Sequence, residues 1–279
     1  MIVRYPVRSA LRAAAVAAAA SLCATQIAAQ LRPLEPVPAE VFAPRRSLLA
    51  EAGVGRLHEQ RASLAGTTGA LRENGNLRLV WRDGRFGLEL AGTVRRSFRD
   101  GERFAPPHSS VHREGPDRAD SGDYRVGTLL HLTGTDRPAG LILRFGTRLP
   151  NSDDGVGLDR DRTDFYATLA GRLLLRGLAL TAEGGLGIFG THDPEFEQSD
   201  PLLYSLVAEQ TAGPATLHAA FLGHRSGFGG WVQRGNETLS ELRTGVRVGD
   251  RFSVQILRVV GLAEFSPASG WLLSGGYRR

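Results

Sequence analysis

Residues 141–149 read Leu-Ile-Leu-Arg-Phe-Gly-Thr-Arg-Leu, and their apolar and polar side chains alternate along the chain. The odd-numbered positions are mostly apolar, whereas Arg144 and Arg148 share the opposite side with Gly146. A period of two is the signature of a β-strand, because a helix of this sequence would spread its arginines around the circumference. The stretch therefore predicts a strand with one apolar and one basic face.

The same alternation recurs after residue 45 in segments joined by very short turns and longer loops in succession. Twelve strands are predicted, at 47–58, 75–83, 86–98, 123–134, 138–150, 163–176, 178–191, 201–212, 214–226, 239–249, 251–265 and 269–278. Longer loops are predicted near 59–74, 100–122, 151–162, 193–200 and 228–238. This succession is typical of an all-β, up-and-down antiparallel transmembrane β-barrel of about twelve strands, with both termini on the periplasmic side. A soluble sandwich would show the same alternation, with its apolar face as the core.

The N-terminal residues 1–29 read as a signal peptide and favour the membrane barrel. Arg4, Arg8 and Arg12 precede an apolar run, and a cleavage site near Ala29 follows it. Cys23 is the single cysteine and lies in this segment, so no disulfide is expected after cleavage. We then expect an extended periplasmic lead-in at 30–46 and the barrel at 47–279, in the outer membrane of a Gram-negative cell.

Composition narrows the function classes. The net charge of +5 includes the three signal arginines, so the remaining chain is nearly neutral and a nucleic-acid partner is not expected. The expected partners are outer-membrane lipid, the barrel insertion machinery and a small-molecule solute. No cofactor is expected.

Residues 143–171 read LRFGTRLPNSDDGVGLDRDRTDFYATLAG, in which a strand ending in Arg-Leu-Pro precedes an Asp/Gly-rich loop and a Thr-Asp strand start. This region resembles bacterial outer-membrane transporters of the phenol-degradation meta-pathway (MetA-like) type. The closing Gly275-Gly276-Tyr277 is similar to the terminal signal of outer-membrane barrels, although two arginines follow it. The resemblance covers about a third of the chain and implies a porin-like barrel that passes hydrophobic or aromatic compounds.

The polar face of the predicted strands defines candidate pore-lining residues. They are Arg78, Arg82, Glu89, Arg95, Arg125, His131, Arg144, Arg148, Arg172, Glu183, Glu241, Arg243 and Arg247. Rings of arginine favour anions in an open pore. The alternative is a lumen filled by paired charges, which is common in barrels of small diameter.

Two further motifs carry weaker hypotheses. Asp153, Asp154, Asp159 and Asp161 could supply oxygen ligands to Ca²⁺, but their spacing is not that of an EF-hand and a solvated loop is the simpler interpretation. His224 and Ser226 lie two residues apart on a strand and therefore on one face, where the histidine could activate the serine.

These observations favour an outer-membrane channel or transporter, rather than an enzyme, for small solutes that are anionic or hydrophobic, including aromatic compounds. The alternatives are an outer-membrane lipid hydrolase that uses His224 and Ser226, and a structural or adhesive barrel that acts through its long loops. Substrate identity, oligomeric state and transport direction do not follow from the sequence.

Overall fold

The computed structural model describes residues 31–43, 46–133, 138–190, 200–226 and 237–279. The predicted signal peptide and the loops near 193–200 and 228–238 lie wholly or largely outside these ranges. The strands are β1 (Ser47–Ala62), β2 (Thr67–Asp83), β3 (Phe86–Arg103), β4 (Asp117–Asp120), β5 (Tyr124–His131), β6 (Ala139–Leu149), β7 (Asp164–Leu175), β8 (Leu178–Phe189), β9 (Leu202–Ala212), β10 (Ala215–Arg225), β11 (Thr238–Val248), β12 (Phe252–Gly261) and β13 (Ser269–Arg278). Single 3-10 turns occur at Ala39–Phe42 and Asp154–Val156.

Twelve of these strands form a closed antiparallel barrel, which confirms the predicted fold. Each strand pairs with the next along the chain, except that β3 pairs with β5 while the short β4 pairs only with the upper part of β3. The barrel closes because β1 pairs with β13, from Leu49 opposite Arg278 to His58 opposite Ser269. Closure pairs each of the twelve barrel strands with a neighbour on both sides, and their even number places both ends of the barrel domain on the side of the short turns.

The predicted loop at 59–74 is wrong. β1 and β2 continue through it and join at a four-residue turn, residues 63–66, in which Gly66 has a φ of +67°. The pairing of β1 with β2 changes register between Gly53 and Val54 and between Leu57 and Gln60. Such bulges disturb the regular alternation, so this hairpin is weakly visible in the sequence.

Gly75 is the residue that reverses the alternation of β2. It has a φ of +69°, and the inward-facing positions of β2 are odd-numbered before it and even-numbered after it. The neighbouring β3 changes in the same place, where Val94 and Arg95 are both exposed and Arg96 is buried. The expected pore-lining position of Arg95 is therefore wrong: the irregularity turns Arg95 outward and Arg96 inward.

Large apolar side chains cover the outside of the barrel. Exposed leucine, isoleucine, valine and phenylalanine side chains alternate with buried positions on nearly every strand. Exposed Trp81, Phe86 and Phe252 lie at the end with the short turns, and exposed Phe165 and Trp271 lie at the other end. An outward apolar belt between two aromatic girdles is the lipid-facing surface of an outer-membrane barrel, and the protein is accordingly located in the outer membrane. No helix in the described residues is long and apolar enough to cross a membrane.

The segment expected to be a periplasmic lead-in instead lies inside the barrel. Residues 31–43, hereafter the plug, form hydrogen bonds with inward-facing side chains of seven strands, namely β2, β5, β6, β7, β8, β11 and β13. At the periplasmic end, Val41 and Phe42 pack with buried Leu49 and Ile142. At the outer end, Leu31 packs with Phe98. The sequence interpretation failed because a proline-rich segment without regular structure can be held by the charges of a lumen as well as by solvent.

We predict that Gly75→Ala lowers the free energy of unfolding. The left-handed φ alone should cost about 1–2 kcal/mol, because alanine is strained there, and crowding of the new Cβ against Val94 should add to this cost. A Cβ at Gly75 would lie 2.9 Å from Val94 Cγ2. Gly84 shares the positive φ (+60°) but has no atom within 4 Å of its added Cβ, and Gly184 has open space without a positive φ. Urea unfolding of the refolded barrel should rank stability as Gly184→Ala above Gly84→Ala above Gly75→Ala. Equal stability of all three would contradict the assigned bulge.

Candidate functional site

The lumen gathers most of the predicted pore-lining side chains. Twelve of the thirteen face inward, namely Arg78, Arg82, Glu89, Arg125, His131, Arg144, Arg148, Arg172, Glu183, Glu241, Arg243 and Arg247. Strand alternation puts them there, because most are flanked by outward apolar or small residues. Whether they line a conducting path stays a prediction.

Arginines of the barrel wall bind the backbone of the plug. Arg78 donates to the Pro36 carbonyl oxygen at 2.6 Å, and Arg144 donates to that of Glu35 at 2.8 Å. Arg172 donates to the Ala39 carbonyl oxygen at 3.2 Å. These bonds satisfy carbonyls that have no partner strand, as buried backbone groups require.

Charged side chains of the plug are paired with the wall as well. Arg32 Nη1 lies 3.0 Å from Glu73 Oε2, and its Nη2 lies 3.6 Å from Glu241 Oε2. Glu35 accepts two hydrogen bonds from Arg243 Nη1 at 2.8 and 2.7 Å. Arg32 and Glu73 are both buried, so removing one partner of this pair is expected to cost about 3–5 kcal/mol, because the remaining charge stays desolvated.

Near the periplasmic end, the Glu40 carboxylate is held by two arginines. Its Oε1 lies 2.5 Å from Arg278 Nε and 3.9 Å from Arg247 Nη1. The next aromatic residue of the plug, Phe42, has the Arg172 guanidinium over its ring at 5.8 Å from the centroid. Its ring centroid is 6.3 Å from that of His131, in an edge-to-face arrangement. The plug thus offers the wall carbonyls, carboxylates and one aromatic ring.

The wall also pairs charges within itself. Arg144 Nη2 lies 2.6 Å from Glu89 Oε2, and its Nη1 lies 3.1 Å from Glu183 Oε1. Arg78 Nη2 lies 2.8 Å from Glu89 Oε1. Arg144 and Glu89 are each 2% exposed as side chains, so the pairing compensates for nearly complete loss of water.

Two cavities lie beside the plug, along the wall formed by β1, β2 and β11–β13. Their volumes are about 160 and 100 Å³. Both are lined by Glu35, Glu51, Arg78, Arg243, Gln255 and Leu257, so they are neighbours along one side of the plug. They have room for several waters, since each water needs about 10–15 Å³ of such space. Space for water therefore remains along this side of the plug.

A second charge cluster lies near the outer mouth, where the loop between β6 and β7 folds inward. Asp159 Oδ2 lies 2.8 Å from Arg96 Nη1, and Asp159 Oδ1 lies 2.7 Å from Arg148 Nη1. Burial and the neighbouring Asp123 carboxylate raise the pKa of Asp159 to about 6. Burial opposes ionisation of Asp123 too, but Arg148 and Arg96 outweigh it and lower the pKa of Asp123. Asp159 is therefore the carboxyl of this pair that takes up a proton first as pH falls.

The proposed Ca²⁺ ligands are not brought together. Asp159 is engaged by arginines, whereas Asp153 is exposed and its Oδ1 accepts a hydrogen bond from the Gly155 N–H at 2.9 Å. Across the part of the chain that the structure describes, no group of three or more His, Cys, Asp or Glu side chains is arranged to hold a metal ion.

His224 and Ser226 both lie on the inner side near the outer mouth, where each is buried. Neither ring nitrogen of His224 and not the Ser226 hydroxyl has a hydrogen-bond partner among the described residues. The ring of His224 instead meets that of Phe189 edge-to-face, with centroids 5.5 Å apart. A serine nucleophile needs a hydrogen bond to its base, so this geometry gives the hydrolase hypothesis no support.

The sequence interpretation missed the plug residues as part of the site. Arg32, Glu35 and Glu40 place three charges within a short proline-rich run. That combination was the available signal, because several charges on a short extended chain can pair with a charged lumen. Arg96 was also missed, because the irregularity near Gly75 changes the phase of β3 and turns Arg96 inward.

We predict that the Asp159 proton makes the folded barrel more stable as pH falls from 7 to about 4. The folded-state pKa of about 6 lies above the ordinary value, so the stabilisation is present in acid and is lost as pH rises through 6. The Asp159→Asn variant should lose this dependence, which amounts to about 2 kcal/mol. Unfolding in urea at several pH values measures it, with Asp161→Asn in the same loop as control. An unchanged pH profile in Asp159→Asn would contradict the assignment.

Comparisons with known proteins give barrels at low similarity. No protein-family model matches the chain, and no curated protein matches it in sequence. Among solved structures, the chain is similar to OmpT, an outer membrane protein of Vibrio cholerae, with a TM-score of 0.41, 8% identity and coverage of 84% of this chain and 98% of that chain. The chain is also similar to LpxR from Salmonella typhimurium, with a TM-score of 0.39, 11% identity and coverage of 83% of this chain and 99% of that chain. For the translocator domain of the autotransporter NalP from Neisseria meningitidis, the TM-score is 0.34 and the identity 15%, with coverage of 84% of this chain and 88% of that chain. No family or activity is assigned to the chain from these similarities.

Proposed function

We propose that the protein is an outer-membrane channel for small anionic solutes, held closed by its own N-terminal plug. The observation that carries the proposal is the set of arginines that bind the plug. They hold its carboxylates and carbonyl oxygens, which are the groups that a carboxylate solute would present in their place.

Charge balance supports anion preference once the plug leaves. Withdrawal of residues 31–43 removes two acidic side chains, Glu35 and Glu40, and one basic side chain, Arg32. Arg243 and Arg278 would then lose a carboxylate partner, and the wall would gain net positive potential. Rings of arginine in a water-filled pore favour anions.

Aromatic acids are the solutes proposed, because they are anionic and belong to the aromatic compounds that the resemblance to phenol-degradation transporters implies. The Phe42 ring lies between Arg172 and His131, and both contacts suit an aromatic face or edge. A small aromatic carboxylate could make the same contacts while its carboxylate binds arginine. The hydrolase and adhesive alternatives have no comparable set of contacts in the described residues.

We predict that deletion of residues 31–43 converts a closed barrel into a conducting, anion-preferring one. The wall should persist, because none of these residues belongs to a strand. The measurement is single-channel conductance in a planar bilayer, with a salt gradient to read the reversal potential. The full-length protein should give few or no steps, and the deletion variant should give discrete steps with chloride preferred over potassium.

A synthetic peptide of residues 31–43 provides the matched control. Added to the deletion variant, it should block the steps, whereas the same peptide with Glu35→Gln and Glu40→Gln should block at clearly higher concentration. A deletion variant that is folded by heat-modifiability but silent, or that prefers cations, would overturn the proposal.

A further inference from the structure

We propose that an outward arginine cluster on β1, β2, β3 and β12 binds phosphate groups of outer-leaflet lipid. The cluster consists of Arg56, Arg72, Arg95 and Arg258, and we call it the exterior arginine patch. All four residues are exposed and lie on the outer surface of the barrel, away from the lumen.

Strand register brings these side chains together. Arg56 is directly opposite Arg72, and on its other side it is opposite Trp271, which is in turn opposite Arg258. Arg95 is opposite Asn74, two residues from Arg72. Side chains directly opposite on one face are about 5 Å apart at Cβ, and diagonal neighbours about 7–8 Å. The four guanidinium groups therefore cover one continuous area of the outer wall.

The bulge at Gly75 contributes to this patch. With uninterrupted alternation Arg95 would face the lumen, as its position in the sequence suggests. The change of phase at Val94 and Arg95 instead adds its charge to the outside. The same irregularity places Arg96 in the inner cluster, so one structural feature supplies both surfaces.

The patch carries unbalanced positive charge. None of its four arginines forms a salt bridge or a side-chain hydrogen bond to a protein group in the described residues, in contrast to the paired arginines of the lumen. Arg258 makes one side-chain contact, with its guanidinium 5.7 Å from the centroid of the Trp271 ring. Like charges directly opposite each other destabilise a sheet, so the Arg56–Arg72 pair calls for an anion between them.

The position of the patch identifies the anion. On β1, the outward residues below Arg56 are Ala50, Ala52 and Val54, and the exposed Val94 lies directly below Arg95 on β3. The patch thus adjoins the upper edge of the apolar belt, on the side opposite the termini, next to the girdle residue Trp271. Lipid phosphates lie at this level, with acyl chains along the belt below them. Guanidinium groups bind phosphate by paired hydrogen bonds.

The test measures binding of the full-length refolded barrel to bisphosphorylated lipid A in mixed detergent micelles. The variant Arg56→Gln/Arg72→Gln/Arg95→Gln should bind bisphosphorylated lipid A at least about tenfold more weakly than the parent does. The parent should show a similarly weak affinity for lipid A without phosphates. The matched control is Arg85→Gln/Arg176→Gln/Arg251→Gln, which removes three exposed arginines at the short-turn end and should bind like the parent. Heat-modifiability verifies folding, and the single Arg72→Gln change tests the centre of the patch if the triple variant does not fold.

Three outcomes would overturn the proposal. Equal affinity of patch and control variants would mean that net charge alone attracts the lipid. Equal binding of lipid A with and without its phosphates would show that the patch does not recognise phosphate. Full competition by inorganic phosphate, or tighter binding of a soluble acidic polymer than of the lipid, would show that the patch recognises a soluble anion instead.

Discussion

Pairing of buried charge inside a closed wall is the constraint on which this structure depends. The inner faces of the strands carry many arginines, and a desolvated guanidinium without a partner would cost several kcal/mol. Carboxylates of the wall such as Glu89 and Glu183 compensate part of this charge. The plug supplies the rest through its carbonyl oxygens and through Glu35 and Glu40. The lumen is therefore filled because its chemistry requires acceptors.

The wall itself follows from local pattern and could be predicted. In β6 and in residues 164–170 of β7 the alternation is regular, so apolar residues such as Phe145 point outward and Arg144 points inward. In β1–β3 the pattern is interrupted by register shifts and by a left-handed glycine. There the loop at 59–74 and the orientation of Arg95 could not be predicted, since a bulge leaves little trace in hydropathy.

The position of the plug inside the lumen could not be predicted from the alternation of apolar and polar residues, for a different reason. Residues 31–43 have no repeating pattern, because an extended chain inside a barrel is held by individual contacts made at irregular intervals. Arg32, Glu35 and Glu40 meet partners 41 to 238 residues away in sequence. Such pairings depend on the closed geometry of the barrel, which has to be known first.

The plug shares no strand ladder with the wall. Within the described residues, no plug residue takes part in the strand pairing of β1 through β13, and the chain runs on from the plug to β1. Withdrawal along the axis would break side-chain contacts alone and leave every inter-strand hydrogen bond in place. Mechanical strength and permeability are thus set by different parts of the chain, and mutation could alter one while leaving the other intact.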